Sequence, residues 1–181
     1  MIKTVAFISQ EAMEVHAKPC ANTAIISITR QDDKPAVIKD GFNLILRLQF
    51  DDEYEERLGE KIGSIPDLGD DGVILCHGRI LPDANHAAAI IDFIENLSCD
   101  HLIVHCHAGV SRSAAVAKFV VGRYGAVLDQ ANDDTSGSNK RLLRLLNKVA
   151  LKHDLVRGKF IPCGDSPRGD SLYSNDKFGI F

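Results

Sequence analysis

Residues 101–125, HLIVHCHAGVSRSAAVAKFVVGRYG, join a short apolar run, a loop and a second apolar segment. The run HLIVHC has the length and composition of a buried strand. After Arg112 few positions are polar, and the alanines and valines there indicate a buried helix. The stretch therefore predicts a strand, a tight loop and a helix, as found in α/β proteins.

The loop between this strand and this helix is suited to binding an oxyanion. A strand that leads into a helix leaves backbone N–H groups pointing into the loop, at the positive end of the helix dipole. Gly109 permits close curvature of the backbone, and Arg112 can contact two oxygens of a tetrahedral anion. The pattern predicts a phosphate-binding loop made of His107, Ala108, Gly109, Val110, Ser111 and Arg112.

Cys106 stands at the first position of the loop, where the N–H groups favour a thiolate over a thiol. A thiolate can attack the phosphorus of a bound monoester in line, and water can then hydrolyse the resulting cysteinyl-phosphate. Ser113 can donate a hydrogen bond to the sulfur. His105 is expected to hold the backbone of the cysteine through its ring nitrogens.

The residues HCHAGVSRS, 105–113, resemble the His-Cys-x5-Arg-Ser signature of the cysteine-dependent protein tyrosine phosphatase superfamily. AGVSRS is most similar to its dual-specificity branch, and LILRLQFDD and PDANHAAAIIDFI are similar to segments of small bacterial-type predicted tyrosine phosphatases. The resemblance implies that Cys106 is the nucleophile, that Arg112 clamps the phosphate, and that His105 and Ser113 tune the thiolate. It also implies a protein tyrosine phosphatase-like fold and an Asp general acid after an earlier strand.

The general acid has several candidates. The pattern at the end of LQFDD selects Asp52 as the first choice and Asp51 as the second. Asp52 lies farther before Cys106 than is usual in the resembled superfamily, and an insertion directly after the acid would account for the excess. Three later carboxylates stay open as alternatives, namely Asp70, Asp71 and Asp83, the last of which is also placed to cap a helix.

The rest of the chain alternates strand and helix patterns. The runs IKTVAFIS, NTAIISIT and FNLILRLQF predict three strands, and Ser9 is placed to cap a helix over QEAMEVHAK. Apolar residues at helical spacing predict a helix after Asp83, and NKRLLRLLNKVALKH predicts a basic amphipathic helix. We therefore expect an α/β fold with a mixed, mainly parallel sheet flanked by helices.

The expected phosphatase domain covers residues 1–156 as a single unit. Within it, residues 51–80 are rich in acids, Gly and Pro without sustained periodicity, which predicts a lid or inserted surface loop. Residues 157–181 are rich in Gly, Pro, Asp and Ser and predict an extended tail.

Composition limits the expected partners. The 181 residues carry a formal net charge of -4, which gives no general attraction for DNA or for an anionic membrane. No apolar run is long enough to cross a bilayer and no secretory signal is evident, so we expect a cytoplasmic protein. We also expect a monomer rather than an oligomer. The five cysteines form no C-x-x-C pair, which favours reduced thiols, and neither a cofactor nor a metal is expected. Cys76 and Cys99 are candidates for protecting the nucleophile.

The expected activity is hydrolysis of phosphate monoesters through a cysteinyl-phosphate. A phosphorylated protein is the expected partner, with a phosphorylated small molecule or an RNA end as the alternative. Two other functions stay open. One is an inactive module that only recognises phosphate, and the other is a rhodanese-like sulfurtransferase, which also uses a loop cysteine.

Overall fold

The computed structural model describes residues 2–54, 69, 79–129 and 134–158. Strands and helices alternate along them, which confirms the α/β class. In chain order they are β1 (Thr4–Ser9), α1 (Gln10–Val15), β2 (Thr23–Thr29), β3 (Ile45–Gln49), α2 (Ala84–Glu95), β4 (His101–Cys106), α3 (Arg112–Tyr124), β5 (Val127–Leu128) and α4 (Lys140–Val156).

The five strands form one sheet in the order β3-β2-β4-β1-β5. Every pairing among these strands is parallel, whereas the sequence led us to expect a mixed, mainly parallel sheet. β4 occupies the centre, and its last residue, Cys106, is level with Ser9 at the end of β1. Because the strands are parallel, the segments that follow β1, β3 and β4 leave from the same edge of the sheet.

The helices cover both faces of the sheet. α1 connects β1 to β2 and α3 connects β4 to β5, so these two crossovers run in opposite directions along the sheet. Because crossovers between parallel strands are right-handed, α1 and α3 lie on opposite faces. The carboxyl ends of β4 and β1 therefore border a crevice at a topological switch point, where ligands of open α/β sheets bind.

Local capping explains where the helices begin. The hydroxyl of Ser9 accepts a hydrogen bond from the N–H of Ala12, and the Asp83 carboxylate accepts one from the N–H of His86, as the sequence predicted. α2 buries the apolar residues expected from its periodicity. α4 contacts both α2 and α3, so these three helices close the core over the buried side chains of β2 and β4.

Several expected features lie outside the described residues. These are most of the lid or insertion at 51–80, the candidate acids Asp70 and Asp71, the thiol of Cys76, and the tail from residue 159 onward. Among the helices that are described, none combines the length and hydropathy that a membrane span requires.

Candidate active site

Cys106 lies at the carboxyl end of the central strand, beside the helix that follows the loop. Its side chain is 2% exposed, and its Sγ lies 3.1 Å from the Oγ of Ser113 on the first turn of α3. Ser113 is itself fully buried. The structure thus brings together the two residues that the sequence assigned to the nucleophile and its hydrogen-bond donor.

The loop after Cys106 passes tightly against the end of β1. Gly109 has a φ of 71°, in the left-handed region. A Cβ at this position would lie 2.3 Å from the backbone N of Ser9 and 2.5 Å from the carbonyl carbon of Ile8. On the same side, the N–H of Gln10 donates to the carbonyl of His107. Both the conformation and the close approach therefore require glycine, and they fix the loop in the crevice between β4 and β1.

Arg112 begins α3 with its guanidinium buried, being 2% exposed. Its Nη1 donates to the carbonyl of Phe50, at 2.7 Å. Its Nε has no hydrogen-bond partner among the described residues. A buried cation with an N–H that lacks a partner is costly, unless an anion completes the site. The role of Arg112 as an oxyanion clamp stays a prediction, and it requires an N–H that is available to an anion.

The amino terminus of α3 also lacks a side-chain cap from its N-cap residue, Ser111. The hydroxyl of Ser111 instead donates to Oδ1 of Asp52, at 2.6 Å. The first N–H groups of the helix consequently face the loop without a capping oxygen from this residue, and they retain the partial positive charge of the helix end.

Asp52, the first-choice acid, lies against the loop of residues 107–112 although it is remote in sequence. Its Oδ1 accepts hydrogen bonds from the hydroxyl of Ser111 and, at 3.0 Å, from Nδ2 of Asn139. The contact between Arg112 and the carbonyl of Phe50 holds the same segment to the loop from its other end. The nucleophile loop and the candidate acid therefore form one hydrogen-bonded unit.

Asp51, the second choice, has a different environment. Its carboxylate accepts a hydrogen bond from the N–H of Ile80 at 3.0 Å, and it lies 4.0 Å from Nε of Arg30. Its own N–H donates to the carbonyl of Ile80. Among the described contacts, Asp52 is hydrogen-bonded to the loop, whereas Asp51 is hydrogen-bonded to residue 80. Asp83, a later alternative, caps α2.

Asn139 is a site residue that the sequence reasoning missed. It is fully buried at the N-cap of α4, where its Oδ1 accepts from the N–H of Leu142. Its backbone N–H donates to the carbonyl of Ser111, while its Nδ2 donates to Asp52. One side chain therefore starts α4 and holds the acid. An Asn directly before an amphipathic run is a recognisable helix start, but its link to Asp52 is not visible in the sequence.

His105 is fully buried within the sheet. Neither ring nitrogen has a hydrogen-bond partner among the described residues, so the expected contact with the backbone of Cys106 is not observed there. Burial, together with the positive charge of Arg47, lowers the pKa of His105 to about 4. The ring is therefore neutral at physiological pH. His107, in contrast, is exposed.

Cys99 lies too far from the nucleophile to protect it by forming a disulfide. Its Sγ donates to the carbonyl of His101, at the amino end of β4. Cys106 is at the other end of the same strand, about 20 Å away at the usual rise of a strand. A disulfide requires the two Cα atoms to lie within about 7 Å.

In comparisons with known proteins, no family model matches the chain, and no curated protein is significantly similar to it in sequence.

Proposed function

We propose that this protein is a cysteine-dependent phosphate monoester hydrolase of the protein tyrosine phosphatase or dual-specificity type. One observation carries the proposal. The carboxylate of Asp52 is hydrogen-bonded to the loop that begins at Cys106 and ends at Arg112. Nucleophile, anion clamp and proton donor are the three groups that this reaction needs, and they meet at one edge of the sheet. The parallel sheet with helices on both faces supports a protein tyrosine phosphatase-like fold.

In the first step the loop binds the dianion of a phosphate monoester. Backbone N–H groups and the guanidinium of Arg112 contact its non-bridging oxygens. The thiolate of Cys106 attacks phosphorus, so that an S–P bond forms while the bond from phosphorus to the ester oxygen breaks. The electron pair of the broken bond goes to the leaving oxygen, and the Asp52 carboxyl group gives that oxygen its proton.

In the second step water hydrolyses the cysteinyl-phosphate. Asp52, now a carboxylate, takes a proton from the attacking water, and the new P–O bond forms as the S–P bond breaks. The electron pair returns to the sulfur. The hydroxyl of Ser113, which lies 3.1 Å from that sulfur, stabilises the departing thiolate by donating a hydrogen bond. The products are inorganic phosphate and the restored thiolate.

A phosphorylated protein is the proposed substrate. A phosphorylated side chain that enters the loop would lie close to the side chains at the edge of the loop. Val110 is 52% exposed on the loop, and the ring of Tyr54 lies 6.0 Å from Nζ of Lys140. The phosphate of a Tyr, Ser or Thr side chain could then place its ester oxygen toward Asp52. The backbone of the substrate polypeptide would stay at the edge of the loop, near Val110 and Tyr54.

Hydrolysis of p-nitrophenyl phosphate, measured with a chelator present, tests the proposal. We expect turnover by the wild type and none above background by Cys106→Ser, because a serine hydroxyl does not ionise as a cysteine thiol does. Arg112→Lys should retain the charge but lose the planar, bidentate contact, and turnover should fall on the order of a hundredfold.

Other outcomes would point to the two rival functions. Wild-type protein that binds phosphopeptide without turnover would favour a recognition module. Cyanide-dependent release of thiocyanate from thiosulfate would favour a sulfurtransferase. Turnover that persists in Cys106→Ser would contradict the proposed mechanism.

A further inference from the structure

α4 presents a regular row of cations on its exposed side. Lys140, Arg144, Lys148 and Lys152 follow one another at intervals of four residues, and all four side chains are exposed. Residues four apart are neighbours on the surface of a helix, so these cations form a strip, here named the basic row, that winds gradually around α4. At the usual helical rise it extends about 18 Å.

Two further charged residues of α4, Arg141 and Asp154, contact other parts of the fold. Arg141 is fully buried, and its Nε donates to the carbonyl of Pro82. Asp154, the one acid of the helix, forms an ion pair with Arg123 of α3, whose Nη2 donates to both carboxylate oxygens. The helix thus places one cation inside for packing and the other four outside. On a chain whose formal net charge is -4, this strip is a local field of opposite sign.

The basic row starts at the rim of the candidate active site. Lys140 directly follows Asn139, whose side chain donates to Asp52. The ammonium group of Lys140 also lies 6.0 Å from the ring of Tyr54. From there the row runs away from the loop along α4. A depression between α3 and α4 adjoins it, lined among others by Lys118, Leu143 and Asn147.

We propose that the basic row binds an acidic segment of the phosphorylated protein substrate, an inference that rests on the proposed function. A substrate held at the loop has its flanking residues at the rim, where the row begins. An extended polypeptide advances about 3.3 Å per residue, so about five or six residues would cover the row. Asp and Glu side chains in that stretch would face the four cations.

A nucleic acid fits this surface less well than an acidic polypeptide. Proteins that bind single strands combine cations with aromatic side chains on which bases stack. α4 contains no Phe, Tyr or Trp. The negative charge of the whole chain also opposes a long polyanion, whereas a short acidic segment interacts chiefly with the row.

The test compares three substrates. Two are phosphotyrosine peptides of equal length, one with Asp and Glu flanking the phosphotyrosine and one with Ser and Gly. The third is phenyl phosphate, which is too small to reach the row. For the wild type we expect kcat/KM for the acidic peptide to exceed that for the neutral peptide on the order of tenfold, and added salt should reduce the difference.

The variant Arg144→Glu/Lys148→Glu should lose this preference while hydrolysing phenyl phosphate at the wild-type rate. Arg144→Gln/Lys148→Gln removes the charges without reversing them, and it should show a smaller loss. The matched control is Lys18→Glu/Lys39→Glu, which changes net charge equally near the end of α1. It should keep the preference, because α1 lies on the opposite face of the sheet.

Several results would overturn the inference. One is an equal kcat/KM for the two peptides in the wild type. Another is a preference for the acidic peptide that survives in Arg144→Glu/Lys148→Glu. A third is a preference that is lost to the same extent in Lys18→Glu/Lys39→Glu. Loss of phenyl phosphate hydrolysis in the glutamine variant would assign the row to the site or the fold instead. Efficient, row-dependent hydrolysis of a 5'-phosphorylated RNA would make it a nucleic-acid surface. Absence of phenyl phosphate turnover in the wild type would refute the proposed function itself, and the inference with it.

Discussion

Asp51 and Asp52 are adjacent carboxylates with different hydrogen-bond partners. Asp52 accepts hydrogen bonds from Ser111 and Asn139 at the loop, while Asp51 accepts one from the backbone of residue 80. The pattern of LQFDD favoured the former before any contact was known. Its hydrogen-bonded link to the loop could not be foreseen, because Ser111 and Asp52 are 59 residues apart.

Asp52→Asn should affect substrates according to their leaving groups. Phenolate is a poor leaving group and needs the proton, whereas p-nitrophenolate departs readily without it. We therefore expect kcat for phenyl phosphate to fall by about 10²–10⁴, with a much smaller fall for p-nitrophenyl phosphate. The pH profile for phenyl phosphate should also lose the limb that requires the protonated acid.

Asp51→Asn serves as the control for Asp52→Asn, since it alters a neighbouring carboxylate that is hydrogen-bonded to the backbone of residue 80 instead of to Ser111. Equal losses for both leaving groups in Asp52→Asn would assign that residue to binding rather than to proton transfer.

Asn139 has two separable roles, which two substitutions should distinguish. Asn139→Ser keeps an N-cap oxygen for α4 but lacks the amide that donates to Asp52, whereas Asn139→Ala loses both. We expect the alanine variant to unfold more easily by about 1 kcal/mol, and the serine variant to retain nearly wild-type stability. Both should lower kcat for phenyl phosphate with little change in KM. Wild-type kcat in both variants would show that Asn139 only caps the helix.

At the scale of elements, the unit from β4 to α3 was the most predictable part of the molecule. Strand, loop and helix are continuous in sequence, and each shows its own local pattern in residues 101–125. β5 was missed, because its two residues are too few to give any periodicity. The hydrogen bond from Asn139 to Asp52 was equally hidden, since the two residues are 87 positions apart in the sequence.

The close approach of the loop to β1 predicts unequal effects of two glycine substitutions. Gly109 and Gly125 both have φ near 70°, but a Cβ would clash with the end of β1 only at Gly109. Gly125→Ala should cost about 1 kcal/mol of stability and leave turnover intact. Gly109→Ala should abolish turnover and destabilise the protein by several kcal/mol, through strain and displacement of the loop.

Thermal unfolding and the hydrolysis of p-nitrophenyl phosphate, measured on both glycine variants, check this expectation. Similar behaviour of the two proteins would mean that left-handed conformation alone, and not the contact with β1, constrains the loop.

At the scale of the whole molecule, the sequence predicted the α/β class and, within the described residues, the first four strands and the four helices. It did not predict the order of the strands, which depends on contacts between segments far apart in the chain. That order places the crevice between β4 and β1, where the two crossovers diverge. The residues of the loop were therefore predictable, whereas the groups that surround it were not.

The buried imidazole of His105 links the stability of the whole fold to pH. Its pKa is lowered to about 4, while in the unfolded chain it returns to about 6.5, so between these values the unfolded state binds more protons. The neutral ring contributes fully to the free energy of unfolding above about pH 6.5. This contribution decreases by roughly 3 kcal/mol as the pH is lowered from 6.5 to 4.

Urea unfolding of the wild type and of His105→Gln, at several values between pH 7 and 4.5, measures this contribution. The difference in the free energy of unfolding between the two proteins should shrink with decreasing pH across this window. A constant difference would show that the ring takes up a proton as easily in the folded protein as in the unfolded chain.

The central claim is that Cys106 becomes covalently phosphorylated during turnover. The most direct measurement mixes Asp52→Asn protein with p-nitrophenyl phosphate, quenches it rapidly in acid and identifies the modified peptide by mass spectrometry. Asp52→Asn should slow hydrolysis of the intermediate, because no carboxylate takes the proton from water. We predict one added phosphoryl group on the peptide containing Cys106, and none in Cys106→Ser. Turnover without that adduct, or a phosphoryl group on another residue, would contradict the account.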